Sequence, residues 1–346
     1  VGSSLSGGLD SSLIVMLINS LKPSGQSQNT FSARFENFEK DEGEFINEIT
    51  RITDTIPHFT YPTEENIIQD LKKTFYHQDE PFTSASITAQ WEVMKLARQN
   101  NIKVLLDGQG ADEMLAGYIT FYHVYLNSLV KKDPLLFASE EKDFAKYHSR
   151  YNPYTRPNPL DEVAPARKTI SHLLQFKTRK TPAFQNTTLF TDSFIRGLAT
   201  QPPVQFTPMN DLDECLRFCM SGYGLNTLLR YADRNSMAHS VEVRLPFLKH
   251  ELVEFVFSLP DSFKLHGGWT KYVMRKSFEN VLPEKIAWRS DKIGYEVPQK
   301  VWMQAPEVLA LVESGKKNLV SRDIMEKEKI NFSDWKLLMV HFLFEN

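Results

Sequence analysis

Ser6-Gly7-Gly8-Leu9-Asp10-Ser11-Ser12 is the stretch on which the reading of this chain turns. It runs directly into Leu13-Ile14-Val15-Met16-Leu17-Ile18, a continuous apolar segment that reads as a buried helix. A loop in that position lies beside unpaired backbone N–H groups and the positive end of the helix dipole, and both favour an anion. Gly7 and Gly8 let the backbone approach a ligand and adopt positive φ, while Ser6, Ser11 and Ser12 add hydroxyl donors. Asp10 would repel a polyphosphate unless a divalent cation lay between them, so it predicts Mg²⁺ on oxygen ligands. The common phosphate loop GxxxxGK[ST] ends in a lysine, and none follows here; γ-phosphoryl transfer is therefore not the expected chemistry. A plain N-cap would need neither the glycine pair nor the aspartate.

The 346 residues are enough for a large core, and a net charge of −3 gives no electrostatic case for nucleic acid. The apolar runs are too short to span a bilayer, so no membrane is expected. Cys215 and Cys219 form neither a disulfide framework nor a zinc spacing and read as packed or partly exposed thiols; a reducing, cytoplasmic setting is the expectation.

Outward from the loop, Thr30 to Phe35 alternates like a strand, and Phe45, Ile46, Ile49 and Ile52 recur at helical spacing. His58 to Tyr61 reads as a further strand, Ile87, Trp91, Met94 and Ala97 as one helix face, and Lys103 to Leu106 as the next strand. This βαβ series predicts an α/β fold, a parallel sheet flanked by helices with its ligands at the carboxyl ends of the strands. The expected organisation is a nucleotide-binding core over 1–124, a mostly helical or irregular insertion over 125–210, and a helical C-terminal lobe over 211–346. In the insertion the periodicity weakens and Tyr151 to Asp161 reads as an irregular connection. In the lobe, Trp335, Leu338, Met339 and Phe342 make one apolar face.

The sequence SGGLDSS resembles the pyrophosphate loop of the N-type ATP pyrophosphatases, an adenine nucleotide alpha hydrolase-like fold. Three later segments resemble the synthetase half of the glutamine-hydrolysing asparagine synthetases in particular: Val104 to Tyr118, with its acidic glycine-rich turn; Leu229 to Leu248; and Trp288-Arg289-Ser290-Asp291-Lys292-Ile293-Gly294. The resemblance implies cleavage of ATP between its α and β phosphates. An aspartate side chain would be adenylated, and ammonia, normally from glutamine, would then give asparagine, AMP and pyrophosphate. It implies ATP and Mg²⁺ as cofactors, Asp10 and Asp112 as metal ligands, and Lys292 as the essential lysine. Leu5, Ser6, Gly7, Gly8, Ser11, Ser12, Ala33, Phe35, Asp107 and Gly108 would surround ATP, with Gly110, Glu113, Tyr118 and Arg289 on the substrate side. It also implies a longer protein whose N-terminal glutaminase domain is absent from this chain; a homodimer is one assembly it allows.

Two departures bear on the substrate. Family members carry a glutamate where this chain has Gln109, and an amide cannot act as a general base, so Glu113 or a substrate carboxylate would have to take that step. The usual Ile-Arg-Ala-Ser run is replaced by Asp79 to Ser86, which lacks an arginine to grip a carboxylate. A variant branch is implied, with amidation of another carboxylate as one alternative and a catalytically silent ATP-binding domain as another. His239 reads as structural, and Asp233, Arg234, Glu242 and Arg244 as an internal ion-pair network.

Overall fold

The computed structural model describes residues 1–148, 190–198, 211–221, 224–291 and 295–345. The first part runs β1 (Gly2–Ser4), α1 (Leu9–Leu21), β2 (Gln28–Ala33), α2 (Gly43–Ile52), β3 (Thr55–Thr60), α3 (Glu64–Gln78), α4 (Ser86–Gln99) and β4 (Val104–Leu106). There follow α5 (Ala111–Met114), α6 (Ile119–Lys132), α7 (Pro134–Tyr147), α8 (Asp192–Leu198), α9 (Leu212–Ser221), α10 (Leu225–Ala238) and β5 (Glu242–Arg244). The chain continues with α11 (His250–Ser258), α12 (Asp261–Lys264), β6 (Leu265–His266), β7 (Trp269–Thr270), α13 (Tyr272–Ser277), α14 (Glu284–Ala287), α15 (Gln299–Trp302), α16 (Pro306–Ser321) and α17 (Asp334–Glu345).

Strands β1 to β5 form one parallel sheet in the order β3-β2-β1-β4-β5. The chain leaves β1 toward β2 and β3, then returns to add β4 and β5 on the other side. The reversal therefore lies between β1 and β4, and the crevice beyond their carboxyl ends is where such sheets bind ligands. Ser3 pairs with Leu106, so Leu5 to Gly8 and Asp107 to Gly110 emerge side by side. That register, set by short strands buried on both faces, places the two glycine-rich turns together.

Leu13, Ile14 and Val15 of α1 are at most 5% exposed and pack with Ile46 and Ile49 of α2 and Met114. Each such side chain contributes about 1.5–3 kcal/mol of burial and fixes the loop ahead of it. Ile87, Trp91, Met94 and Ala97 are all buried, as are Trp335, Leu338, Met339 and Phe342. The α2 face is narrower than expected, because Ile52 at the helix end is exposed.

Two expectations change. The C-terminal part is not helical alone: Glu242 to Arg244 is β5, pairing with β4 at the sheet edge. Consequently Glu242 and Arg244 are exposed and bond to one another, and Arg234 pairs with Asp79, so they do not form an internal network. In the described first part of the insertion, helices α6 and α7 carry Phe121, Tyr122, Leu126 and Phe144 into one buried cluster. Their periodicity is obscured because buried polar groups, among them Glu140 and His148, share that face. Residue 124 lies within α6. Tyr151 to Asp161 fall outside the described residues. His239 stacks edge-on against Trp91 with ring centroids 4.4 Å apart, and burial lowers its pKa to about 4, in keeping with a packing role. Cys215 is buried, Cys219 half-buried, and neither forms a disulfide among the described residues.

Candidate active site

The serine-glycine loop is braced internally. Gly7 has φ +78° and Gly8, the N-cap of α1, has φ −72° and ψ 163°, so the expected positive φ occurs at Gly7 alone. A Cβ on Gly7 would lie 2.7 Å from Phe45 Cβ. The Gly8 N–H donates to Ser6 Oγ at 3.2 Å, the Ser6 N–H to Ser11 Oγ at 3.2 Å, and the two hydroxyls lie 3.1 Å apart. Two of the three expected hydroxyls thus shape the loop as well as facing the cavity. Ser12 is fully buried behind it, and its Oγ has no partner among the described residues.

The second turn is pressed against the first. A Cβ on Gly108 would stand 2.9 Å from Asp10 Cβ and 3.1 Å from the Ser11 nitrogen. Gly110 has φ +93°, which favours glycine, and faces Leu248. The Gly108 N–H donates to Asp107 Oδ1 at 2.6 Å. Burial nevertheless raises the Asp107 pKa, with the charge of Asp10 acting in the same direction.

Where these turns meet, a lysine supplied by another part of the chain joins them. Lys271 Nζ lies 2.6 and 2.5 Å from the two carboxylate oxygens of Asp10 and 2.8 Å from Asp112 Oδ1. Its side chain is only 4% exposed. Burial alone would lower its pKa, but Asp10 and Asp112 outweigh that, and the net shift is upward; the ammonium is kept charged. Lys271 has φ +52°, uncommon for a side-chain-bearing residue, at the end of the β6–β7 hairpin. Arg275 holds that segment by donating from Nε to the Thr270 carbonyl at 2.7 Å and from Nη1 to the Ala287 carbonyl at 2.7 Å. Gly117 is the third close approach: a Cβ there would fall 1.8 Å from Asp112 Oδ1 and 2.3 Å from Lys271 Cε.

Sequence reasoning missed Lys271 and Gly117. Gly267-Gly268 precedes Trp269-Thr270-Lys271-Tyr272 and reads as a plain hairpin turn, and no acidic residue or spacing ties the lysine to the two glycine-rich loops. The available signal was charge balance, since two aspartates brought together on adjacent turns call for a cation. The Lys271 ammonium and the buried Arg275 guanidinium, which also lines the cavity, balance Asp10 and Asp112. Both carboxylates line the cavity, and such hard oxygen donors are of the kind that suits Mg²⁺ arriving with a polyphosphate.

At the rim, Arg289 Nη1 bonds Glu42 Oε1 at 2.8 Å, and its guanidinium lies 3.6 Å from the centre of the Phe45 ring. Burial pushes the Glu42 pKa up to about 7 despite Arg289. Tyr118 donates to Glu113 Oε1 at 2.6 Å; burial raises the Glu113 pKa against that bond. Lys292 lies outside the described residues.

These groups surround one cavity of ≈ 390 Å³. Leu5, Ser6, Gly8, Asp10 and Ser11 line it from the first loop, and Asp107, Gly108, Gln109 and Asp112 from the second. Ala33 and Phe35 line it from the end of β2, and Tyr118 and Arg289 from the rim. Gly7, Ser12, Gly110 and Glu113 do not reach the lining. Gln109 Oε1 is buried with no hydrogen-bond partner among the described residues.

Comparison with known proteins agrees with this geometry. The family model described as asparagine synthase matches residues 1–332. Asparagine synthetase (glutamine-hydrolyzing) 1 of Bacillus subtilis (strain 168) is 25% identical, over 88% of this chain and 47% of that protein. Amidase chyE of Penicillium rubens is 24% identical, over 96% of this chain and 53% of that protein. A shorter stretch, 17% of this chain and 11% of its relative, is 44% identical to the asparagine synthetase (glutamine-hydrolyzing) of Gallus gallus. The chain thus spans about half the length of the first two relatives. With its parallel sheet, its paired glycine-rich turns and a family match across nearly its whole length, this chain belongs to the asparagine synthase family.

Proposed function

We propose that this chain is an ATP-dependent amide-forming ligase that adenylates the side-chain carboxylate of aspartate and passes the acyl group to ammonia. The observation that carries the reading is the meeting of Asp10, Asp112 and Lys271 on the cavity floor, beside a serine-glycine loop at a helix N-terminus. In the proposed reaction a carboxylate oxygen attacks the α phosphorus, the bond to the β phosphate breaks, and pyrophosphate leaves. Ammonia then attacks the acyl carbon, AMP departs and a proton is released. The backbone N–H groups around Gly8 and the Lys271 ammonium oppose the charge that develops on the departing pyrophosphate. Asp10 and Asp112 would hold Mg²⁺, which supplies charge neutralisation to the phosphates when bound. Lys292 would add a mobile positive charge.

A second reading, the same chemistry on another carboxylate, is favoured by Gln109 and by the segment before α4. Asp79 and Glu80 are paired with Arg234 and Arg230, and no arginine lies in that segment. The name of the Penicillium relative, an amidase, is compatible with this branch.

The test is pyrophosphate release from ATP, with Mg²⁺ and ammonia, across aspartate and a panel of other amino and sugar acids. Aspartate-dependent release with asparagine and AMP formed supports the first reading. Release with another acid alone supports the second, and silence with every acid counts against both.

A further inference from the structure

We propose that Gln90 reads the nucleobase, donating from its side-chain amide nitrogen to a ring nitrogen of the purine; this rests on the reading of the cavity as an ATP site. Helix α4 presents Ile87, Gln90 and Val93 to the cavity, three residues apart on one face. Ile87 packs in one cluster with Phe35, and Val93 in another with Phe31 and Ala33. Gln90 therefore sits in the apolar wall built with the end of β2, whereas the charged floor is built from the ends of β1 and β4.

Its orientation is dictated by a relay of three amides. Gln78 Nε2 donates to the Tyr231 carbonyl at 3.2 Å and to Asn235 Oδ1 at 2.8 Å. Asn235 Nδ2 donates to the Ile87 carbonyl at 2.8 Å and to Gln90 Oε1 at 3.0 Å. Backbone carbonyls only accept, so those of Tyr231 and Ile87 fix the nitrogens of Gln78 and Asn235, and Asn235 in turn fixes the oxygen of Gln90. Gln78 and Asn235 are fully buried. Gln90 Oε1 is thereby committed to the protein, and its NH₂ group, on a residue lining the cavity, has no partner among the described residues.

Burying two amides to aim a third is costly where leucine would pack as well, and the arrangement yields one oriented donor in an apolar slot. The ligand it suits is flat, with apolar faces and an acceptor at its edge. A purine ring meets that description through N1, N3 or N7; a phosphate or an ammonium ion does not.

The experiment measures the affinity of ATP and of 1-deaza-, 3-deaza- and 7-deaza-ATP for the wild type, Gln90→Met and Gln90→Glu. A neutral hydrogen bond of this kind is worth roughly three- to tenfold in affinity. The wild type is expected to bind one deaza analogue weaker than ATP by that factor. In Gln90→Met that penalty disappears, because ATP itself binds as weakly as the analogue. Gln90→Glu keeps an acceptor for Asn235 and loses the donor, so it gives the same result should the methionine variant fail to fold. Deaza penalties that are absent in the wild type, or unchanged in both variants, overturn the assignment of Gln90 while leaving the ATP site standing. Absence of ATP binding to the wild type overturns the nucleotide site, and this inference with it.

Discussion

Gly108 and Asp10 touch where the two glycine-rich turns meet: a Cβ added to Gly108 would lie 2.9 Å from the Cβ of Asp10. The next contact, 3.1 Å to the Ser11 nitrogen, is with backbone at the start of α1, which cannot swing aside. Gly108→Ala is therefore expected to push the turns apart, destabilising the fold by about 1–3 kcal/mol. Displacing Asp10 by a fraction of an ångström to an ångström should slow pyrophosphate release by about 100-fold. Denaturant unfolding and a pyrophosphate assay on the same preparation check both numbers. A variant with wild-type turnover would show that the close approach is incidental to the chemistry.

Lys271 is the shared partner of Asp10 and Asp112, and its removal leaves two carboxylates facing each other with no ammonium between them. Lys271→Met is expected to cost about 3–5 kcal/mol of stability, the range for breaking a buried ion pair from one side. Adding Asp10→Asn should restore part of that loss, because one unpaired charge is removed along with its partner. Activity should not return with stability: both variants and the double variant should release pyrophosphate at least 100-fold more slowly than wild type. Strictly additive stabilities would argue that the three groups do not form one unit.

Much of this site was legible because glycine and charge mark it. The loop at Ser6 to Ser12 and the turn at Asp107 to Asp112 announce themselves by glycine beside acid, and the βαβ order brings them to adjacent strand ends. Lys271 was not legible, since its partners lie at Asp10 and Asp112 and no local spacing relates them. The strand Glu242–Arg244 was hidden for a different reason: it alternates, with Glu242 and Arg244 exposed about a half-buried Val243, but three residues at a sheet edge are too short a run to stand out. Gln90 falls within a helix face recognised only by its apolar members, and its polar role depends on Gln78 and Asn235 from two other helices.

Gln109 places a buried amide oxygen without a partner in the lining of the site. An amide oxygen can accept an N–H from an incoming amine and orient it, but it cannot take up the proton. Gln109→Leu should raise the KM for ammonia by roughly three- to tenfold while leaving stability unchanged or slightly higher, since an unsatisfied buried acceptor is removed. Gln109→Glu should supply a further base, so the rate against pH, at constant unprotonated ammonia, acquires an acid limb in addition to any that Glu113 gives the wild type. Amide formation followed against ammonia concentration and pH separates these outcomes. An unchanged ammonia KM in Gln109→Leu would place the amine elsewhere.

Glu42 offers a test by pH that does not depend on turnover. Its pKa is raised from 4.5 to about 7, chiefly by burial, with Arg289 opposing. The folded state therefore binds a proton that the unfolded state has released between those values, so Glu42's contribution to stability is full below about 4.5 and is lost as pH rises through about 7. The span corresponds to about 3 kcal/mol in the wild type. Glu42→Gln cannot titrate there; the lost ion pair with Arg289 shifts its stability by an offset, but that part of the slope should vanish. Urea unfolding of both proteins from pH 4 to pH 9 is the measurement, read as the difference between their unfolding free energies. That difference should move in favour of Glu42→Gln by about 3 kcal/mol across the range. A difference that stays flat would mean that Glu42 ionises as an ordinary carboxylate and that Arg289 fully offsets its burial.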